Sequence, residues 1–351
     1  MYYKQAAMLA ELPRDTFWAE ISRSTISSDP VRAIYFTRTL AVLLYFTQAN
    51  YWIASVYFSF ISFLGTLYFV KQIGVANGQM LRSVFVAFLF FPSIVFWSSG
   101  LMKESLAFAS LMFLSGFYIK VKNGKIHWQD GLGLLTSVLI LALLKNYILV
   151  VALPVFLILV QDHYFRKYHK NFLGSGLRVL VISLLLLLIG YLFGLKLFPN
   201  FEPDTLLSDI EISRQFIYQY SPDSFNIHSY SGLGVLDFAI NTFYYLFSSL
   251  FRPLLFESWD FPIWLASIEN SFILLMLIWK IAFTRWRFEA TNFEGFTILI
   301  YALFMGCMLA YSLPNLGTVS RMKVYYMPFL LWLILNNHPI WDKWTKIKIL
   351  R

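Results

Sequence analysis

Charge is scarce in this 351-residue chain: Asp, Glu, Lys and Arg together make 13% of it, against about a quarter in a soluble domain. Apolar residues make 58% and aromatic ones 19%, and mean hydropathy is +0.63. That balance excludes water-soluble enzyme folds. One cysteine, Cys307, lies inside an apolar run, which excludes an intramolecular disulfide framework and a Cys-based metal site. The five histidines, His127, His163, His169, His228 and His338, show no metal-ligand spacing, so no metal and no cofactor is expected. A Gly-rich phosphate loop, a Walker signature, a Ser-nucleophile elbow and solenoid-period repeats are all missing. Residues 1–30 mix charges evenly and carry no signal peptide pattern.

What the chain does have is apolar runs of roughly membrane-spanning length. They fall at 51–70, 83–99, 105–119, 132–144, 147–161, 178–197, 263–283, 292–312 and 324–337. The expected fold is an all-α, polytopic transmembrane helical bundle of about 9–10 crossings. The net charge of +9 sits in short loops, the footprint of membrane orientation and not of a nucleic-acid partner. Five basic regions alternate with the crossings without a violation if they face the cytoplasm: Lys71 with Arg82; Lys120, Lys122 and Lys125; Arg166, Lys167, Lys170 and Arg178; Lys280, Arg285 and Arg287; and the tail 339–351.

The same threading puts residues 199–262 outside as one larger loop. There, eight acidic residues face only Arg214 and Arg252. Within it 235–251 (VLDFAINTFYYLFSSLF) is apolar but would spoil the parity as a crossing, so it reads as an interfacial or re-entrant helix. The loop separates a first helix group, 51–198, from a second, 263–338. Residues 1–50 form an outer or interfacial segment, in which 34–48, interrupted by Arg38, is either a tenth crossing or a surface helix. Nine crossings put the N-terminus outside, which an additional helix upstream would explain.

Polar residues in the outer connections are the next signal. Lys145 and Asn146 alone separate 132–144 from 147–161. Thirteen residues reach only ~20 Å of a core ~30 Å thick, so this elbow should sit below the outer surface. Another elbow carries Lys103 beside Glu104, read as an ion pair. Arg252 and Glu257 lie in FRPLLFESWD, Glu269 about two turns into 263–283, and Arg321 and Lys323 in PNLGTVSRMK. Ionisable groups at membrane depth are costly unless paired or facing a wet cavity, and by default they mark a functional site. The blander alternatives are snorkelling for Lys103 and Lys145, a structural pair for Lys103 and Glu104, and a lipid-phosphate anchor for Arg252.

Several cations facing a few carboxylates suit an anionic lipid headgroup, above all the diphosphate of a polyprenyl-linked saccharide. A carboxylate there can act as base toward an acceptor hydroxyl while the cations stabilise the departing phosphate. The expected partners are therefore a lipid-linked saccharide and membrane lipids, with no nucleic acid.

FFPSIVFWSSGLMKESLAF (90–108), FRPLLFESWDFPIWLASIEN (251–270) and PNLGTVSRMKVYYMPF (314–329) resemble segments of bacterial membrane proteins from polysaccharide gene clusters. These are described as membrane glycosyltransferase-like or oligosaccharide repeat-unit polymerase-like. The likeness runs in order over roughly residues 30–335 and points to Lys103, Glu104, Arg252, Glu257, Glu269 and Arg321. The chain departs from the pattern at Lys145-Asn146, where an Arg-Pro is expected. It also departs near the N-terminus, where only Glu11, Asp15, Glu20 and Asp29 could supply an acidic motif.

The resemblance implies a multi-pass enzyme of the bacterial inner membrane that transfers or polymerises polyprenyl-diphosphate-linked saccharides at the outer face. Glu104 or Glu269 would be the catalytic base; Lys103, Lys145, Asn146, Arg252, Glu257, Arg321 and Lys323 would bind substrate. The alternatives are a lipid-linked-saccharide flippase or transporter, and a non-catalytic scaffold of an envelope complex. A transporter needs polar residues reaching the cytoplasmic side, and the inner halves of the spans hold almost no ionisable groups.

Overall fold

Long apolar runs with few glycines or prolines leave the backbone no partner but itself in a membrane, and helices result. The computed structural model describes residues 2–23, 31–48, 50–76, 81–124, 126–168, 235–257, 260–283, 293–313, 315–336 and 338, with the single positions 212, 214, 215, 219 and 227. The chain is all-α. Its elements are α1 Tyr2–Ala10, α2 Arg14–Arg23, α3 Val31–Phe46, α4 Tyr51–Ala76, α5 Leu81–Phe85, a π-helical turn Val86–Phe90, α6 Pro92–Ser98, α7 Lys103–Lys122 and α8 Trp128–Tyr168. After them come α9 Val235–Phe251, α10 Phe261–Phe283, α11 Phe293–Ser312, α12 Leu316–Met322, a 3-10 turn Lys323–Tyr325 and α13 Met327–Leu335.

Among the described residues five helices are long and apolar enough to cross a membrane: Tyr51–Val75, Lys103–Lys122, Trp128–Tyr164, Phe261–Ala282 and Phe293–Ser312. The chain is a multi-pass membrane protein. Several serine and threonine hydroxyls within the spans bond back to their own helix, as Ser59 does to the Ser55 carbonyl and Thr66 to that of Ser62, which satisfies them without water.

Four expected crossings take a different form. The segment 83–99 is broken into α5, the π turn and α6, with Phe91 extended (φ −77°, ψ 121°). Pro92 is the cause, because its ring disfavours a helical residue before it and it has no N–H to continue the ladder. The segments 132–144 and 147–161 belong to one 41-residue helical stretch whose backbone is non-helical only at Lys145 (φ −147°, ψ 60°). A straight helix of that length would run about 60 Å, twice a hydrocarbon core, and the break at Lys145 divides it into two shorter pieces. The segment 324–337 holds only the nine-residue α13, after a 3-10 turn. The crossing at 178–197, most of the outer loop and the basic tail lie outside the described residues.

The chain divides into two compact units, residues 1–78 with 95–150, and residues 79–94 with 151–351. In the first, α4 and α7 pack backbone to backbone: a Cβ on Gly65 would stand 2.8 Å from the Ala109 carbonyl oxygen and 2.9 Å from its Cα. Small residues permit that approach, and with lipid around the helices close packing is what associates them. Helices α1, α2 and α3 contribute to this unit's core. Ala6 of α1, Phe17 of α2, and Phe36, Leu40, Ala41 and Leu44 of α3 are buried together with Phe58 and Leu106.

In the second unit α9 packs on the C-terminal half of α11. Thr242 and Ser249, seven residues apart on α9, both meet one turn of α11: the Cys307 thiol lies 3.9 Å from the Thr242 carbonyl, and the Ser249 hydroxyl 2.9 Å from where a Gly306 Cβ would be. Lys280 of α10 donates to the carbonyls of Leu333 and Asn336 at 2.6 and 2.8 Å, capping the C-terminal end of α13.

Candidate functional site

Glu104 opens α7, where the helix dipole favours a carboxylate. Its Oε1 receives a bond of 2.9 Å from Lys145 Nζ. The elbow before α7 is shaped by Gly100, whose φ of +82° suits glycine alone. Gly100 N–H donates to the Ser59 hydroxyl, and the Ser105 hydroxyl donates to the Gly100 carbonyl, both at 2.8 Å. Asn146 is buried beside Lys145. Lys103, read as the partner of Glu104, places its ammonium 4.2 Å from the centre of the Tyr2 ring and 5.6 Å from that of Phe36. A cation over aromatic faces is stabilised by the ring quadrupoles.

In the second unit α9 ends in Phe251-Arg252-Pro253. Arg252 Nε donates to Glu257 Oε1 at 2.6 Å and Nη1 to the Tyr244 hydroxyl at 2.5 Å, with the Tyr244 ring 5.6 Å from the guanidinium carbon. The other Glu257 oxygen accepts the Leu254 N–H at 2.9 Å, so the carboxylate closes the turn as well as holding the arginine. Pro253 has no N–H, and the carbonyls of this turn find side-chain donors. Lys323 Nζ donates to the Leu250 and Arg252 carbonyls at 3.3 and 3.0 Å and to Asn270 Oδ1 at 2.8 Å. Asn270 Nδ2 donates to the Pro253 carbonyl at 3.2 Å.

The turn lies at depth along α11. The Tyr326 hydroxyl donates to the Ser249 carbonyl at 2.8 Å, and Ser249 abuts Gly306. Gly306 is six residues, ~9 Å, inside the Ser312 end of its helix.

Glu269, next to Asn270 on α10, accepts the Ser93 N–H at 2.9 Å and the Ser93 hydroxyl on its other oxygen. One turn of α10 thus serves two breaks: Glu269 caps the start of α6, and Asn270 holds the turn after α9. Arg321 is half-buried in the last turn of α12, two residues before Lys323.

The structure therefore joins Glu104 to Lys145 in one unit, and Arg252 to Glu257 and Lys323 in the other. Sequence reasoning missed Tyr244, Asn270, Ser93 and the role of Arg214. Asn270 carried a usable signal, since an amide inside an apolar run needs a partner. Arg214 carried none: it is buried, donates to the carbonyls of Tyr311 and Ile227, and lies against the rings of Tyr245 and Tyr311. Among the described residues no group of three His, Cys, Asp or Glu side chains is placed to hold a metal ion. No family model matches the chain, and no curated protein and no solved structure matches it either.

Proposed function

We propose that this protein is an envelope-glycan enzyme that transfers or polymerises polyprenyl-diphosphate-linked saccharides at the outer face of a bacterial inner membrane. One observation carries the reading: Arg252, in a turn set below the end of a spanning helix, has its guanidinium oriented by Glu257 and Tyr244. An arginine fixed in this way is pre-organised to meet a diphosphate, whose oxygens match its planar fork. Arg321, two residues before Lys323, is the other guanidinium assigned to the diphosphate. In the reaction the bond from the sugar's anomeric carbon to the phosphate oxygen breaks, and its electron pair leaves on the diphosphate. The acceptor hydroxyl bonds to the same carbon and gives its proton to a carboxylate. Glu269 is the candidate base of the second unit and Glu104 that of the first. Arginine beside the leaving diphosphate lowers the barrier by neutralising charge that grows in the transition state.

A scaffold reading has its own support, because Lys323 and Glu269 each bond within the fold. Analysis of lipid-linked saccharides in a deletion strain separates the two. An enzyme predicts that repeat units accumulate on the lipid while long polymer is lost, restored by the wild-type chain and not by Arg252→Ala. A scaffold predicts restoration by both.

A further inference from the structure

Lys323 was expected to hold substrate phosphate, and its contacts point elsewhere. An ammonium has three N–H donors, and Lys323 directs them at three protein acceptors: the Leu250 carbonyl, the Arg252 carbonyl and Asn270 Oδ1. Asn270 adds a bond to the Pro253 carbonyl. Two side chains, 4% and 5% exposed, thus fix the carbonyls of residues 250, 252 and 253. A helix end followed by proline could finish with its carbonyls in water; burying a charged amine on them instead is costly. Its effect is to fix the backbone from which Arg252 projects, while Glu257 and Tyr244 fix the guanidinium at the other end of the same side chain.

We propose that Lys323 and Asn270 are positioning residues that hold Arg252 where a lipid-linked diphosphate meets it. The inference rests on the reading of Arg252 as a phosphate holder. Neither residue touches the diphosphate; both act through the turn. A shift of about 1 Å in a binding group is enough to lose much of a contact that depends on two aligned hydrogen bonds.

The experiment is a double-mutant cycle on binding of polyprenyl diphosphate, without sugar, to the full chain in phosphatidylcholine vesicles. Arg252→Ala should weaken Kd about tenfold, the size of one charge-assisted contact. Asn270→Ala should weaken it by a similar factor in the wild-type background and by less than about twofold in the Arg252→Ala background, since the group it positions is gone. Lys323→Met should behave as Asn270→Ala does, and if it fails to insert, the Asn270 cycle decides alone. Equal weakening by Asn270→Ala in both backgrounds, or none in either, overturns the positioning role while leaving Arg252 as a phosphate holder. An unchanged Kd for Arg252→Ala overturns the reading of Arg252 itself and the positioning role with it.

Discussion

Glu104 and Lys145, 41 positions apart, meet at 2.9 Å with side chains only 6% and 10% exposed. Their contact ties the start of α7 to the one non-helical residue of α8. Removing one partner leaves a buried charge uncompensated, at a cost of roughly 3–5 kcal/mol, whereas removing both costs far less. Lys145→Met and Glu104→Gln should each lower the unfolding temperature in detergent markedly, and the double variant should regain most of the loss. Additive losses would show that the two groups are not coupled.

The approach of α4 to α7 gives a second expectation. Gly65→Ala places a methyl within 3 Å of the Ala109 backbone, which a flexible side chain cannot relieve, so the helices must separate. The expected destabilisation is about 1–3 kcal/mol. Gly133→Ala, in the first turns of α8 with nothing within 4 Å, should be neutral or stabilise by up to about 1 kcal/mol through helix propensity. Thermal unfolding of the two variants tests the contrast.

Sidedness is tested by labelling. With Cys307, the single cysteine, replaced by Ser, a cysteine at Ser208 should react with a membrane-impermeant maleimide added outside, and one at Asn123 only after the membrane is opened. Labelling of both from the same side would contradict the charge-based orientation.

His338, just after the last helix, is buried with its Nε2 3.3 Å from the Met276 carbonyl and its ring against Trp279. Burial, with Lys280 nearby adding in the same direction, holds its pKa below the ordinary value of about 6.5. Below that pH the unfolded chain takes up the proton more readily than the folded one, so stability falls as pH drops through 6.5 toward the folded pKa. Unfolding temperatures at pH 7.5 and 5.5 should differ more for the wild type than for His338→Gln. An equal difference would place the acid sensitivity elsewhere.

The all-α membrane fold was legible because composition and apolar run length decide it, and α4, α7, α10 and α11 fall where the runs do. The breaks were harder to read. Pro92 marked one of them, but no pattern announces that Lys145 alone would interrupt α8. Site residues were found through the cost of burying charge, which names a residue but not its partner. Sequence distance pairs Glu104 with its neighbour Lys103; it gives no sign that α7 and α8 also bring Lys145 to Glu104 from 41 positions away. Lys323 reads as a ligand for phosphate because two of its three acceptors are backbone carbonyls, which every residue has and no sequence distinguishes.

The most direct measurement is sugar transfer in vesicles loaded with lipid-linked saccharides from a deletion strain. There a guanidinium contact that tightens in the transition state is worth about tenfold to a hundredfold in turnover. Wild-type chain should consume the lipid-linked donor and release polyprenyl diphosphate. Arg252→Ala and Arg321→Ala should insert normally and each lower turnover by about that factor, and Arg321→Lys, which keeps the charge but loses the fork, should fall in between. Donor consumption by Arg252→Ala and Arg321→Ala at the wild-type rate, or no consumption by the wild type itself, would contradict the enzyme and leave the scaffold.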